Sequence, residues 1–268
     1  MKISSLNLLM LSIFMLSCGS APQKSYELFW ADEFDYSGLP DSIYWGYEEG
    51  FVRNNEAQYY TKERLENVEV KDGMLHITAI KEEFEGADYT SGSITTRDKF
   101  DFTYGRVEAL AKMPRGFGTW AAIWMIGSNI TDVPWPACGE IDILEYVGHD
   151  PEILHFNAHC KKYNHKAIPK VKTGIEYPTT DKPSDEFHLY AVEWYEDRIE
   201  WHYDDKLVHT FFRKDGDGVE GWPFFEPQFL ILNLAIGGNW GAQRGIDDSI
   251  FPQEMTVDYV RVYRIVEE

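Results

Sequence analysis

The chain runs to 268 residues, 44% of them hydrophobic, enough for one sizeable core, and no stretch reads as a linker between two domains. A formal charge of −20 argues against nucleic acid or an anionic membrane surface as a partner, because both would repel it at long range, and more weakly against a polyanionic substrate. Aromatic residues make up 15%, including nine Trp; most are expected in the core, and a minority suit a cleft where a flat ring stacks on the apolar C–H face of a pyranose.

In chain order, MKISSLNLLMLSIFMLSCGS comes first: one basic residue, Lys2, an apolar run to Leu16 too short to span a bilayer, then small residues around Cys18. Residues 1–17 read as an export signal. The Ser17-Cys18-Gly19 ending resembles a bacterial lipoprotein signal, which makes Cys18 a candidate lipid anchor. The chain is then either a cell-envelope lipoprotein, at the surface or in the periplasm, or a secreted protein. Residues 18–26 read as a tether and 27–268 as a single domain; no later run is apolar enough for a membrane span.

From there the sequence shows period-two runs broken by turn residues and no sustained helical pattern. Strands are predicted at 74–80, 93–96, 105–113, 119–126, 140–147, 153–160, 188–195, 198–203, 207–212, 229–236 and 256–265. Many strands, short turns and little helix predict an all-β fold, an antiparallel two-sheet β-sandwich of jelly-roll type. The stretch 161–182, rich in Lys, Pro and Thr, reads as a surface loop. Asp215-Gly216-Asp217-Gly218 lacks the remaining oxygen ligands of a calcium loop and reads as a turn. Cys138 and Cys160 flank a hairpin whose turn is Gly148-His149-Asp150-Pro151. Reflection about that turn puts them nearly opposite, within about one residue of register, and predicts a disulfide.

Within that hairpin GEIDILEYVG, residues 139–148, carries Glu140, Asp142 and Glu145 at gaps of two and then three. On a helix, at about 100° per residue, Glu140 would face away from the other two; on a regular strand Glu145 would point to the face opposite Glu140 and Asp142. One extra residue in the strand, a β-bulge near Ile143-Leu144, resets the alternation and gathers all three. Glu140 and Glu145 are then effectively four strand positions apart, roughly 13 Å between Cα atoms, and side chains leaning together leave about 5–7 Å between carboxyl groups. That overlaps the roughly 5–5.5 Å separation of a retaining glycosidase pair. Three acids on one face also repel one another, so at least one should keep its proton near neutral pH, as a general acid must. A solvated acidic strand edge or a structural metal site would carry the same spacing, but the flanking Trp135-Pro136-Ala137-Cys138-Gly139 and Tyr146 suit a cleft wall.

These residues resemble glycoside hydrolase family 16, in the bulged form of its laminarinases. The resemblance extends to NNEAQYYT (54–61), SGSITTRDKF (91–100), YGRVEALAKMPRGFGTWAAIWMIG (104–127), WPACGEIDILE (135–145), FHLYAVEW (187–194), LNLAIGGNWGA (232–242) and VDYVRVY (257–263), in the family's order. It implies a concave substrate cleft and retaining endo-hydrolysis of laminarin-type β-1,3-glucan, with Glu140 as nucleophile, Glu145 as acid/base and Asp142 tuning the nucleophile. No cofactor is implied for catalysis. Trp120 and Trp124, four apart and so on one strand face, would form an aromatic floor with Trp135, though core packing explains the strand pair as readily. Asn54, Arg97 and Glu56 resemble glucan-binding residues on the non-reducing side, His188 the strand histidine near the acid/base, and Asn233 and Trp240 the lining of the reducing-side half. An ion pair, an exposed acid or core packing are the plainer readings of these positions.

Many members of the family bind one structural calcium on the convex face, and Glu33, Gly73 and Asp258 stand at matching places, partly through backbone oxygens. Ala121 stands where laminarinases often carry Pro, and the block 154–160 is untypical, which leaves reducing-side preference open. The expected partner is a laminarin-like β-glucan polysaccharide, with a membrane reached only through the N-terminal lipid, and the expected state is a monomer. The alternatives are a relative acting on mixed-linkage β-1,3/1,4-glucan or on red-algal galactan, and a non-catalytic glucan-binding protein, although such proteins typically lose one or both acids.

Overall fold

The computed structural model describes residues 24–168 and 171–267, so the expected export signal, Cys18 and most of the expected tether lie outside the described residues. The period-two runs become two sheets. The seven-stranded sheet runs, edge to edge, Ile175–Pro178, Ile153–His159, Glu140–Val147, Thr119–Gly127, Gln228–Ile236, Ser93–Thr95, Gly46–Tyr47. The ten-stranded sheet runs Lys206–Phe212, Arg198–Tyr203, His188–Trp194, Gly105–Lys112, Gln253–Glu267, Met74–Phe84, Ala87–Ser91, Gln58–Tyr60, with Lys24–Asp32 added on Gln253–Glu267 and Val68–Lys71 on Met74–Phe84. Pairing is antiparallel except between Gln58–Tyr60 and Ala87–Ser91. The α-helix Gly238–Gly241 is a single turn. The all-β, two-sheet sandwich expected from the alternation is the observed architecture.

Apolar residues of alternate strand positions fill the space between the sheets: Leu75, Ile77, Val107 and Val192 from one side meet Ile123, Met125, Leu232 and Leu234 from the other. A smaller apolar group, Ala122, Trp124, Ile126, Phe229 and Ile231, covers the opposite face of the seven-stranded sheet. The central strand Gln228–Ile236 is therefore buried on both faces along its whole length, as expected of a strand with few polar positions.

Three expectations need correction. Residues 24–26 are not tether but the start of a strand, with Lys24 opposite Glu267 and Tyr26 opposite Ile265. Within the expected loop 161–182, Ile175–Pro178 is an edge strand on Ile153–His159. Cys138 and Cys160 are both free. The ladder pairs Glu140 with His159, so the residue opposite Cys160 is Gly139, one short of Cys138. A one-residue offset sends side chains to opposite faces: Cys138 packs with Trp124 and Ile126, whereas Cys160 enters the inter-sheet core.

One hydrogen bond ties the sheets at the point that matters most for the site. The Trp201 indole, fully buried in the ten-stranded sheet, donates across the core to the Asp142 carbonyl at 2.8 Å. Trp201→Phe keeps an aromatic ring but removes that buried hydrogen bond, and is expected to cost about 1–2 kcal/mol of stability, read as a lower urea midpoint with unchanged slope.

Candidate active site

Glycine opens the strand that carries the acids. Gly139 has φ 85°, and a Cβ there would meet the Pro223 ring at 2.9 Å. From Glu140 the strand pairs regularly up to Asp142, opposite Asn157 on one side and Trp124 on the other. Pairing then shifts: Glu145 lies opposite His155, so three steps along this strand match two on its neighbour. Ile141, Ile143, Leu144 and Tyr146 all enter the inter-sheet core, and Glu140, Asp142 and Glu145 are left together on the outer face. The expected bulge is present at the expected residues.

Burial is the main influence on all three acids. It raises Glu140 to about 8, with the nearby Glu145 charge adding to it, while hydrogen bonds from Trp135 and Asp142 and the Arg53 charge pull the other way. Asp142, 2% exposed, is raised well above the usual range by burial and by its two acidic neighbours. Asp142 is therefore the proton holder, and its bond to Glu140 favours the ionised form of Glu140. Burial raises Glu145 to about 7, opposed by hydrogen bonds from Trp120 and Asn157; the Trp120 indole lies 3.2 Å from its Oε1. Near neutral pH the face thus keeps protons on its acids, with Glu140 and Glu145 raised to similar values and Asp142 bonded to Glu140.

The aromatic floor forms around them. Trp120 and Trp124 share the acids' face, and Trp135 packs against the same apolar group. Asn233, in Gln228–Ile236, accepts from the Trp124 indole at 2.8 Å and donates to the Tyr60 hydroxyl at 3.0 Å, so it orients the floor. Trp240 meets Trp120 edge-on at 5.4 Å. Arg97 lies 5.9 Å from the Phe229 ring and donates to Thr131. Since Phe229 pairs with Ile126 and Ile126 with Glu140, Arg97 and Trp240 mark opposite ends of the acid-bearing strand. Asn54, exposed, and Gln58 both bond the Glu56 carboxylate, which is 8% exposed and raised by burial; Glu56 is a buried brace, not an exposed acid.

His188 is not brought to the acids. It lies in the ten-stranded sheet, bonded to Asp204 at 2.8 Å and packed at a tilt against the Tyr203 ring, 5.2 Å between centres. The histidines that do share the acids' face are His155 and His159, on Ile153–His159. His159 Nε2 sits 3.4 Å from Asp142 and 3.7 Å from Glu140, and burial lowers it to about 4, so it is neutral at neutral pH. His155 meets Trp240 edge-on at 4.6 Å. Arg53, which no motif marks in the sequence, lies 5.0 Å above the Trp124 ring. At the positions where the resemblance implies calcium, the Glu33 carboxylate is taken by Arg261 at 2.7 and 2.8 Å. Asp258 stands at a register shift beside Gly73's hairpin, between Met255–Val257, paired to Met74–Phe84, and Tyr259, paired to Leu110.

A family model described as glycosyl hydrolases family 16 matches residues 55–261. The chain belongs to that family. It is 46% identical over 250 residues to a beta-glucanase of Rhodothermus marinus, covering 90% of this chain and 86% of that protein. The X-ray structure of the laminarinase from Rhodothermus marinus superposes with a TM-score of 0.86 at 44% identity, covering 91% of this chain and 99% of that one. A non-specific endo-beta-1,3(4)-glucanase of family 16 superposes with a TM-score of 0.83 at 41% identity, covering 91% and 96%. The sandwich is thus the family 16 jelly roll, and its matched segment contains all three acids.

The buried acids make stability depend on pH. Glu145 is an acid whose folded value, about 7, lies above its ordinary 4.5, so folding takes up a proton in that window and stability falls as pH rises through it. Glu145→Gln keeps the neutral form throughout. It is expected to match the parent below pH 4.5 and to exceed it by about 1–3 kcal/mol above pH 7, measured as the difference in unfolding free energy across pH.

Proposed function

We propose that this chain is an exported, monomeric, retaining endo-β-1,3-glucanase that cuts laminarin-type β-glucan by a two-carboxylate double displacement. The observation that carries the reading is the bulge at Ile143–Leu144, which turns Glu140, Asp142 and Glu145 onto one aromatic-lined face. The names of the Rhodothermus relatives, a beta-glucanase and a laminarinase, support the substrate class.

In this reading the Glu140 carboxylate attacks the anomeric carbon while Glu145 passes its proton to the departing glycosidic oxygen. A glycosyl ester on Glu140 results. Glu145, now ionised, draws a proton from the water that hydrolyses the ester, and both carboxyl groups return to their starting states. Asp142 and Arg53 favour the ionised Glu140 before attack. Trp120 and Asn157 favour the ionised Glu145 needed in the second step. The indole faces of Trp120, Trp124 and Trp135 supply apolar area for the sugar C–H faces. A neighbour at 41% identity named for both β-1,3 and β-1,4 linkages makes mixed-linkage glucan the second substrate to assay.

Export through residues 1–17, with Cys18 as lipid anchor, fits a polymer too large to cross a membrane. For the structural calcium that the family resemblance implies, the donors would be the Asp258 carboxylate with main-chain oxygens of Glu33 and Gly73, since Arg261 already holds the Glu33 carboxylate. Calcium added back to the chelator-stripped chain should then raise the melting temperature of the parent and leave that of Asp258→Asn unchanged.

Glu140→Ser is expected to reduce laminarin hydrolysis by at least about 10³-fold while retaining oligosaccharide binding by calorimetry. For the parent, proton NMR of the first reducing ends should show the β anomer. Initial release of the α anomer, or full activity in the variant, would sink the nucleophile assignment.

A further inference from the structure

Outside the cleft, two other groups of three metal-ligating side chains converge among the described residues. Glu193, Glu200 and His202 are already saturated with protein cations, since Lys24 and Arg106 both pair with Glu193. Asp181, His188 and Asp204 are not. One ring nitrogen of His188 and one carboxylate oxygen from each aspartate lie within 4.8 Å of one another.

Three chain segments bring them together. His188 opens the strand His188–Trp194. Asp204, with Asp205, forms the two-residue turn between Arg198–Tyr203 and Lys206–Phe212, both at positive φ. Asp181 lies on the crossover from Ile175–Pro178, the edge of the seven-stranded sheet, to the ten-stranded sheet.

The surroundings are short of partners. His188 is 7% exposed; Nδ1 meets Asp204, and Nε2 has no hydrogen-bond partner. The Tyr203 hydroxyl, on a residue 4% exposed, is turned toward Thr179 and Asp181 but completes no hydrogen bond of full geometry. The fully buried Tyr190 hydroxyl, against Tyr203, is also unpaired. Buried polar groups in native proteins are nearly always satisfied, and the unpaired His188 Nε2 and Tyr190 hydroxyl lie close to two carboxylates toward one of which the Tyr203 hydroxyl also turns. A hollow of ≈ 320 Å³, lined in part by Tyr177, Thr179 and Asp181, reaches solvent alongside.

We propose that Asp181, His188 and Asp204 bind a divalent cation of the zinc–manganese class, which staples the crossover between the two sheets. An imidazole nitrogen with two carboxylates suits these ions better than calcium or magnesium, which take all-oxygen shells. Both aspartates are exposed, so the ion enters without unfolding. Because Ile175–Pro178 pairs with Ile153–His159, the staple also steadies the strand that carries His155 and His159.

The test is calorimetric titration of zinc chloride and of manganese chloride into the chelator-stripped full chain, with melting temperatures recorded alongside. The titrations are run in the Glu140→Ser background with the cleft filled by laminari-oligosaccharide, which binds there uncut, so that Asp142 and His159 do not compete, and repeated with Asp181→Asn or Asp258→Asn added. Asp181 is exposed, so its variant folds. Expected are one saturable site and a melting temperature raised by a few degrees at about 100 times the dissociation constant, a loss of at least tenfold in affinity in Asp181→Asn, and no change in Asp258→Asn. Equal binding in the parent and Asp181→Asn, or no saturable binding, would overturn the proposal and leave buried water as the occupant.

Discussion

Along a strand the choice between core and surface alternates with every residue, and neighbours cannot share a side. Between Asp142 and Glu145 that alternation is broken once, and both Ile143 and Leu144 enter the core. Full burial of two such side chains contributes roughly 1.5–3 kcal/mol each, and the Trp201 indole reaches from the other sheet to the Asp142 carbonyl. The break is thus held from inside the sandwich, by packing that never touches the cleft. Its consequence on the other face is the crowding of three carboxylates, each raised by burial. Core and cleft are coupled in opposite senses: what stabilises the fold compels the acids into an arrangement that costs stability at neutral pH, and that cost is the source of a proton near pH 7.

The bulge was legible because an uneven spacing of charged residues has few regular explanations. The histidines of the acids' face follow from the same hairpin. Reflection about Gly148-His149-Asp150-Pro151 puts His159 opposite Glu140, and once Asp142 and Glu145 are known to face out, Asn157 and His155 follow. The resemblance pointed instead to His188, whose strand motif is sound but whose side chain belongs to the other sheet. Arg53 escaped because nothing in VRNNE distinguishes an arginine over an indole from one in water; its place depends on the chain from Gly50 to Glu56 folding over Trp124.

Errors elsewhere came from the limits of alternation as a signal. Lys24–Asp32 carries a run of exposed residues from Ser25 to Phe29, so it lacks the apolar rhythm of a half-buried strand, and only its pairing with Gln253–Glu267 makes it one. Ile175–Pro178 is an edge strand of four residues, too short to stand out from the loop around it. For Cys138 and Cys160 the hairpin reading was nearly right in register, yet a single residue decides which face a thiol occupies.

The ladder that sets Lys24 opposite Glu267 brings both ends of the described chain to one corner, on the sheet that does not bear the acids. Anything attached there, at either end, holds the molecule by the sheet opposite the acids and leaves their face open. The same adjacency makes the two ends joinable by a few residues, so the chain could be reopened at a distant surface turn with its strand order in space intact.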